Sequence, residues 1–285
     1  MIRKTCAITG ATGGIGHALA NALAERGYDL VLHGRSPHKL EALKATLLTG
    51  HDELKVRLVT GDLDSAGGAQ QVAGEIAAAA PILHLLINNA GILSENAEVS
   101  PDGLDMHMQV NLVAPFILMQ LLKPCLAATG GTIVNVSSGA VFRARRLSAK
   151  ILRHPSTDRK LFGAYAESKL AQAVLGKSLA DEFAKDRIAI VSADPGPTKT
   201  SMTASDAMPK LLKLLRPLLF RPPERGAANI LHATDDAVRH NRLGAYFTKG
   251  REKQLPDFAS DQTIAADVLK FCAEHSGLAG RGAGA

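Results

Sequence analysis

TCAITGATGGIGHALANALAERGYDLVLHGR, residues 5–35, is the stretch that decides the fold. A short apolar run, TCAIT, enters the glycine-rich turn TGATGGIG at 9–16. A helical pattern follows from about Gly14 to Arg26, and then a second apolar run, DLVLH. Glycines between a strand and a helix let the backbone approach a ligand closely. The helix N-terminus adds free N–H groups and a partial positive charge, which suits a pyrophosphate. The turn is not a triphosphate-binding loop, because His17 stands where that motif needs Lys followed by Ser or Thr. Nor is it G-x-G-x-x-G: the spacing is Gly10, Gly14, Gly16, with Gly13 extra.

The same alternation continues along the chain. The helical pattern PHKLEALKATLL leads to LKVRLVTGD, the Ala-rich GAQQVAGEIAAAA to ILHLLINNAG, and one long helix covers LDMHMQVNLVAPFILMQLLKPCLAA. Pro115 is expected to bend that helix. After it come the strand GTIVNVSS, a basic interlude at 139–161, a helix around YAESK, and the strand RIAIVSADPG. A leucine-rich segment at 210–220, a helix near 223–238 and the strand GAYFT complete the pattern. Strands this apolar, alternating with helices, predict an α/β fold: a Rossmann-type doubly wound parallel sheet of about seven strands with helices on both faces. No repeat or linker divides the chain, so residues 1–275 are expected to form a single dinucleotide-binding and catalytic domain. Within it a substrate loop spans about 197–222, and a flexible Gly/Ala-rich tail follows at 276–285.

Composition narrows the function classes. With 46% hydrophobic and 21% charged residues the chain has an ordinary globular balance. Only 4% are aromatic and Trp is absent, so the core must come from Leu, Ile, Val and Ala. A net charge of +6 suits an anionic ligand but is too diffuse to argue for nucleic acid. Cys6, Cys125 and Cys272 are far apart with no C-x-x-C pair, which points to reduced thiols. The ten histidines lack metal-ligand spacing, so no catalytic metal is expected. The N-terminus enters a strand almost at once, and no uncharged apolar run reaches the ~18–20 residues of a membrane span. The expected location is cytoplasmic.

YAESK, residues 165–169, places Tyr165 and Lys169 one above the other on a helix face. A free phenol, with a pKa of about 10, is a poor acid or base at neutral pH. A lysine cation within about 4–6 Å should pull that value down and make Tyr165 a usable proton donor.

T-G-x-x-x-G-x-G, NNAG at 88–91, VSS at 136–138, Y-x-x-x-K at 165–169 and PG at 195–196 occur in that order. Together they resemble the short-chain dehydrogenase/reductase family. Gly10, Gly13 and Gly16 also satisfy T-G-x-x-G-x-x-G, the pattern of its extended branch, but NNAG and the modest length favour the short branch. The downstream GAYFTKGREKQLPDFASDQTIAADVLKFCAE is similar to the tail of the retinol-dehydrogenase and protochlorophyllide-reductase-like group.

The resemblance implies Tyr165 as general acid/base, and Lys169 lowering its pKa and holding the nicotinamide ribose. Ser138 would polarise the carbonyl, and Asn111 would organise a water-mediated proton path. Strand alternation alone does not separate Ser137 from Ser138; the VSS motif favours the second. The implied cofactor contacts are Gly10, Thr12, Gly14, Ile15, Gly16, Asp62, Leu63, Asn89, Ala90, Gly91, Pro195, Gly196, Thr198 and Thr200, besides Tyr165 and Lys169. At the end of the second strand Gly34 and Arg35 stand where NAD enzymes place an acid. Asp29 precedes that strand and should lie at the wrong end. Arg35, helped by Lys39, would instead clamp a 2′-phosphate, so the expected cofactor is NADP(H).

The implied function is an NADP-dependent oxidoreductase reducing a ketone or aldehyde of an apolar molecule, polycyclic or retinoid- or steroid-like. The alternatives are alcohol oxidation, an epimerase-like use of the site, or an NADP-binding regulator without turnover. A homodimer or homotetramer is the family expectation. Between Ser138 and Tyr165 the chain carries a basic insert with Arg143, Arg145, Arg146, Lys150, Arg153, Arg159 and Lys160. It is expected to be mainly a solvated face, and it lacks the interleaved aromatics of a single-strand nucleic-acid site. The leucine-rich segment suggests a lid over an apolar substrate, ahead of a membrane-surface contact.

Overall fold

A computed structural model describes residues 3–94, 98–156, 163–199 and 220–278. Seven strands run parallel: β1 (Thr5–Ile8), β2 (Asp29–Gly34), β3 (Val56–Thr60), β4 (Leu85–Asn88), β5 (Thr132–Val136), β6 (Ala189–Asp194) and β7 (Tyr246–Thr248). The two-residue β8 (Arg251–Glu252) turns back antiparallel on β7, giving the order β3-β2-β1-β4-β5-β6-β7-β8. This strand is the one beyond the expected seven. The turn before it is made by Lys249 and Gly250, which both take positive φ, 52° and 77°. A two-residue strand offers no periodicity to read.

Each strand alternates its side chains between two apolar layers. Cys6, Ile8, Leu30 and Leu32 pack with α1 (Gly14–Glu25), α2 (Pro37–Thr49) and α8 (Pro223–Arg239). Ala7, Val31 and Leu86 pack on the opposite face with α3 (Ala66–Ala79), α5 (Ala114–Ala127), α7 (Ala164–Ala184) and α9 (Gln262–His275). Burial on both faces is why the strands read as unbroken apolar runs.

The long helix is not continuous. It opens as the three-residue α4 (Met106–Met108), widens into a π-helical turn at Gln109–Val113, and continues as α5. Pro115 has no N–H for the carbonyl four residues back, and its ring crowds that carbonyl; the wider turn ahead of it relieves both. The expected bend is therefore a local bulge, with Asn111 at its centre. By length and apolarity the span Met106–Ala127 could cross a membrane, but most of it is buried inside this fold.

The strand order reverses between β1 and β4, which opens a crevice at the carboxyl ends of the strands. The turns TGATGGIG and NNAG meet there. At the other extreme of the sequence, Ser276, where the tail is expected to begin, is fully buried, and its carbonyl accepts a 2.7 Å hydrogen bond from the Gln70 amide.

Candidate active site

On the nucleotide side the backbone carries the shape. Gly10 takes a left-handed φ of 63°. A Cβ on Gly16 would lie 2.3 Å from the Gly10 carbonyl oxygen, so only glycine fits there. No side chain caps the start of α1 at Gly13, which leaves its first N–H groups without a side-chain acceptor. Gly14 and Ile15 form that first turn and are partly exposed, as is Thr12, which sits against Gly34.

Neighbouring side chains hold this turn. The Asn89 amide donates to the carbonyls of Thr9 (2.8 Å) and Gly10 (3.0 Å). The Thr9 hydroxyl accepts from the N–H groups of Asn89 and Ala90, both at 3.0 Å. The Gly10 N–H donates to His33 Nδ1 at 3.4 Å, so the His33 proton is on Nε2 and is given to the Gly61 carbonyl at 3.2 Å. Burial pushes the His33 pKa down, which keeps the ring neutral for this pairing. Asn89 and Ala90 are thus spent on shaping the loop, and His33 is a support that sequence reading missed.

The Arg35 guanidinium is open to solvent at the end of β2, 3.9 Å from the Asp62 carboxylate. Asp62 also accepts the Leu63 N–H at 2.7 Å, while Leu63 itself is buried. Lys39 is exposed in the first turn of α2. Asp29 starts β2 at the far end of the strand and is held by Arg3 (2.9 Å) and the Lys55 N–H (3.1 Å), outside the crevice as expected.

The candidate catalytic side lies where β5 ends beside α7. Ser137 is buried and Ser138 half-buried; of the two it is the Ser138 side chain that acts on the Tyr165 phenol, drawing its pKa down. Ser138 Oγ also accepts the Ala140 N–H at 3.2 Å and so caps the turn Gly139–Arg143. Small residues on α7 allow the helix to sit low on the sheet: a Cβ on Gly176 would already touch Asn135 at 3.2 Å. Tyr165 and Lys169 are buried there at 7% and 3% exposure.

Their electrostatics depart from the sequence expectation. Burial pushes the Tyr165 pKa up to about 12, with the Ser138 hydroxyl opposing and the Asp194 charge reinforcing. Burial pushes Lys169 down to about 7. Lys169 therefore does not lower the phenol's pKa in the protein alone. Its Nζ donates instead to the Val136 carbonyl (2.9 Å) and to Gln172 Oε1 (3.4 Å), and among the described residues no carboxylate offsets its desolvation.

Asn111 is held by three bonds. Its Oδ1 accepts the Ile92 N–H (2.9 Å), and its amide donates to the Ile92 carbonyl (3.2 Å) and the Ser168 hydroxyl (3.1 Å). With both amide protons given to the chain, the side chain braces the π turn and the loop after β4 and has none left for water. Gly91 in that loop is boxed in: a Cβ would stand 3.0 Å from Asn111 Oδ1 and 3.3 Å from Lys169 Nζ.

After β6, Asp194 accepts the Gly196 N–H (2.8 Å) and the Thr248 hydroxyl (2.7 Å). The Pro195 carbonyl accepts from Asn229, and Gly196 has φ 79°. Thr198 is buried, its hydroxyl given to the Gly196 carbonyl at 2.9 Å. Thr200, Arg159, Lys160 and the leucines at 211–219 lie outside the described residues.

The insert folds back on the domain. Its helix α6 (Ala149–Arg153) is fixed by the Ala149 N–H on Asp267 (2.8 Å) and by Arg153 on Glu274 (2.7 Å). Buried Glu167, two positions past Tyr165, clamps Ser156 through its N–H (2.9 Å) and hydroxyl (2.6 Å). Arg143, Arg145, Arg146 and Lys150 are exposed. Tyr246 on β7 was missed as well: its hydroxyl donates to the Ser138 carbonyl at 3.0 Å. The chain has only three tyrosines, and two of them bear on Ser138, Tyr246 through this bond and Tyr165 electrostatically, so their scarcity was a usable signal. Among the described residues no group of His, Cys, Asp and Glu could hold a metal ion.

A glycine-lined crevice at the switch point of a parallel sheet, with a serine, a tyrosine and a lysine beside it, defines an oxidoreductase of alcohol and carbonyl groups. The family described as short chain dehydrogenase matches residues 4–150. Human dehydrogenase/reductase SDR family member 13 is 31% identical over 279 residues, covering 96% of this chain and 74% of its own. Human retinol dehydrogenase 11 is 31% identical over 281 residues, covering 96% and 86%. A solved Caenorhabditis elegans short-chain dehydrogenase/reductase of unknown function, with cofactor, superposes with a TM-score of 0.67 at 26% identity, covering 86% and 93%. The chain belongs to the short-chain dehydrogenase/reductase family.

Proposed function

We propose that this protein is an NADPH-dependent reductase of a ketone or aldehyde on an apolar molecule. One observation carries the reading: Tyr165 is buried at the crevice beside Ser138, and with its pKa pushed up to about 12 the phenol holds a proton to give. Reduction leaves an alkoxide developing on the carbonyl oxygen, which needs a proton donor and a hydrogen-bonding group at that atom. Tyr165 supplies the proton, and Ser138, whose side chain acts on the phenol, orients the oxygen.

The residues around the crevice fit a dinucleotide. The left-handed Gly10, the glycine-only packing at Gly16 and the uncapped N-terminus of α1 suit a pyrophosphate. NADPH, when bound, supplies the hydride. Arg35, solvent-exposed beside the end of β2 with no acid at Gly34, would pair with a 2′-phosphate. Lys169, next to Gly91, would bind the sugar hydroxyls. An apolar substrate accords with a relative named for retinol.

The test is titration with NADPH and NADH, followed by nicotinamide fluorescence, and then a screen of carbonyl compounds for NADPH oxidation. NADPH should bind more tightly than NADH, and Arg35→Ala should remove most of that preference. Equal affinities in the wild type would sink the 2′-phosphate assignment. NADPH binding without turnover of any carbonyl compound would sink the reductase.

A further inference from the structure

A buried histidine lies against the proposed proton donor. His107 is 4% exposed, and its ring meets the Tyr165 ring edge-on, with centroids 6.4 Å apart and planes at 71°. Both of its nitrogens are engaged. His107 Nε2 is 3.1 Å from the Ser94 backbone N–H, which can only donate, so Nε2 accepts and the ring proton is on Nδ1. That proton goes to Asp105 Oδ1 at 3.1 Å. Asp105 is itself fixed, accepting the N–H groups of His107 (2.8 Å) and Met108 (3.4 Å) as the cap of α4.

The arrangement superficially suggests an Asp–His–Ser nucleophile triad, but His107 faces the serine's backbone. The Ser94 hydroxyl is instead given to Glu98 at 2.9 Å. What the geometry does is pin a loop. One helical turn onward, Asn111 holds the same loop at Ile92, through the N–H (2.9 Å) and the carbonyl (3.2 Å). Two side chains four positions apart thus fasten the loop after β4 at alternate residues. Asn111 fastens it beside Lys169, and His107 beside Tyr165.

We propose that His107, oriented by Asp105, is a positioning residue for the reduction: it sets the Tyr165 ring and fixes the loop Ile92–Ser94. The inference rests on Tyr165 being the proton donor. Positioning matters because a misplacement of about 1 Å can cost about 100-fold in rate.

His107→Phe keeps an aromatic edge against Tyr165 but loses both hydrogen bonds, whereas His107→Gln can still offer an acceptor to Ser94. The experiment measures kcat and KM for reduction of a carbonyl substrate, NADPH affinity by fluorescence, and amide hydrogen exchange in the peptide containing Ile92–Ser94. In His107→Phe, kcat should fall about 10- to 100-fold. NADPH affinity should stay near wild type, and exchange at Ile92–Ser94 should rise. His107→Gln should recover most of the rate and the protection. Wild-type kcat and exchange in the Phe variant would overturn the proposal. So would a parallel loss of rate, NADPH affinity and melting temperature that Gln does not rescue. If the wild type reduces no carbonyl compound, the proton-donor reading fails; the exchange measurement still decides whether His107 holds the loop, and unchanged exchange overturns that.

Discussion

The two halves of the crevice divide labour between backbone and side chains in opposite ways. Around β1, β2 and β4 the surface offered to a ligand is backbone: Gly10, Gly16 and the first turn of α1. There Thr9, His33 and Asn89 turn inward and hold that backbone in place. Around β5, β6 and β7 the proposed reactive groups are side chains, Ser138, Tyr165 and Lys169. There the backbone is the support, with the Val136 carbonyl under Lys169 and the Ser138 carbonyl under Tyr246. The first half should therefore fail through binding and folding when it is damaged, and the second through turnover.

Tyr165→Phe is the sharpest break between them. Losing a positioned general acid should lower kcat about 10²- to 10⁴-fold. NADPH affinity, read by fluorescence titration, should change little. A variant that retains wild-type turnover would remove Tyr165 from the chemistry. The mirror experiment is Gly16→Ala. Its methyl group would meet the Gly10 carbonyl at 2.3 Å and the Asn89 amide at 2.7 Å, so the loop must move. Overpacking of this kind costs about 1–3 kcal/mol, and the melting temperature should drop by about 2–4 °C for each kcal/mol. NADPH binding should weaken with it. Normal binding with slowed chemistry would show that the halves are not separable.

Lys169 sharpens the comparison through pH. In the folded chain burial holds its pKa at about 7, against an ordinary 10.5. Between those values the unfolded state keeps a proton that the folded state has lost, so stability rises with pH across the window. As pH falls through about 7 that contribution is gone, and the folded state carries a buried cation. Lys169→Met has no such slope. Melting temperatures of both proteins from pH 6.5 to 10 should show the wild type gaining on the variant as pH rises. A constant difference would mean that the ammonium is solvated or paired in the folded protein.

Legibility in the sequence follows the same division. The glycine turn and NNAG were readable because a backbone shape that only glycine tolerates restricts residue choice at fixed spacing. Y-x-x-x-K was readable because four positions on a helix is a contact. The supports were not, because their partners are remote in sequence: His33 reaches Gly10 and Gly61, and Tyr246 reaches Ser138 across 108 positions. The pKa of Tyr165 departs from expectation for a related reason. Helical spacing brings Lys169 near it, but how deeply α7 is buried depends on the sheet beneath. The π turn at Gln109–Val113 was visible only as a proline.

Tyr246→Phe is the smallest change that tests the division. The substitution removes one hydroxyl, leaves the edge-on contact with Phe142 (5.7 Å between centroids) in place, and strips the Ser138 carbonyl of its 3.0 Å hydrogen bond. A neutral hydrogen bond contributes about 0.5–1.5 kcal/mol, so the melting temperature should fall by only a few degrees. If the backbone at Ser138 is a support for its side chain, kcat should drop by roughly 2- to 10-fold, the same free energy read as a rate. NADPH affinity should be untouched, because Tyr246 contacts the serine turn and not the glycine turn. A fall in affinity as large as the fall in kcat would show that strain at the end of β5 crosses the crevice to the nucleotide side. Backbone on one side and side chains on the other would then form one coupled site.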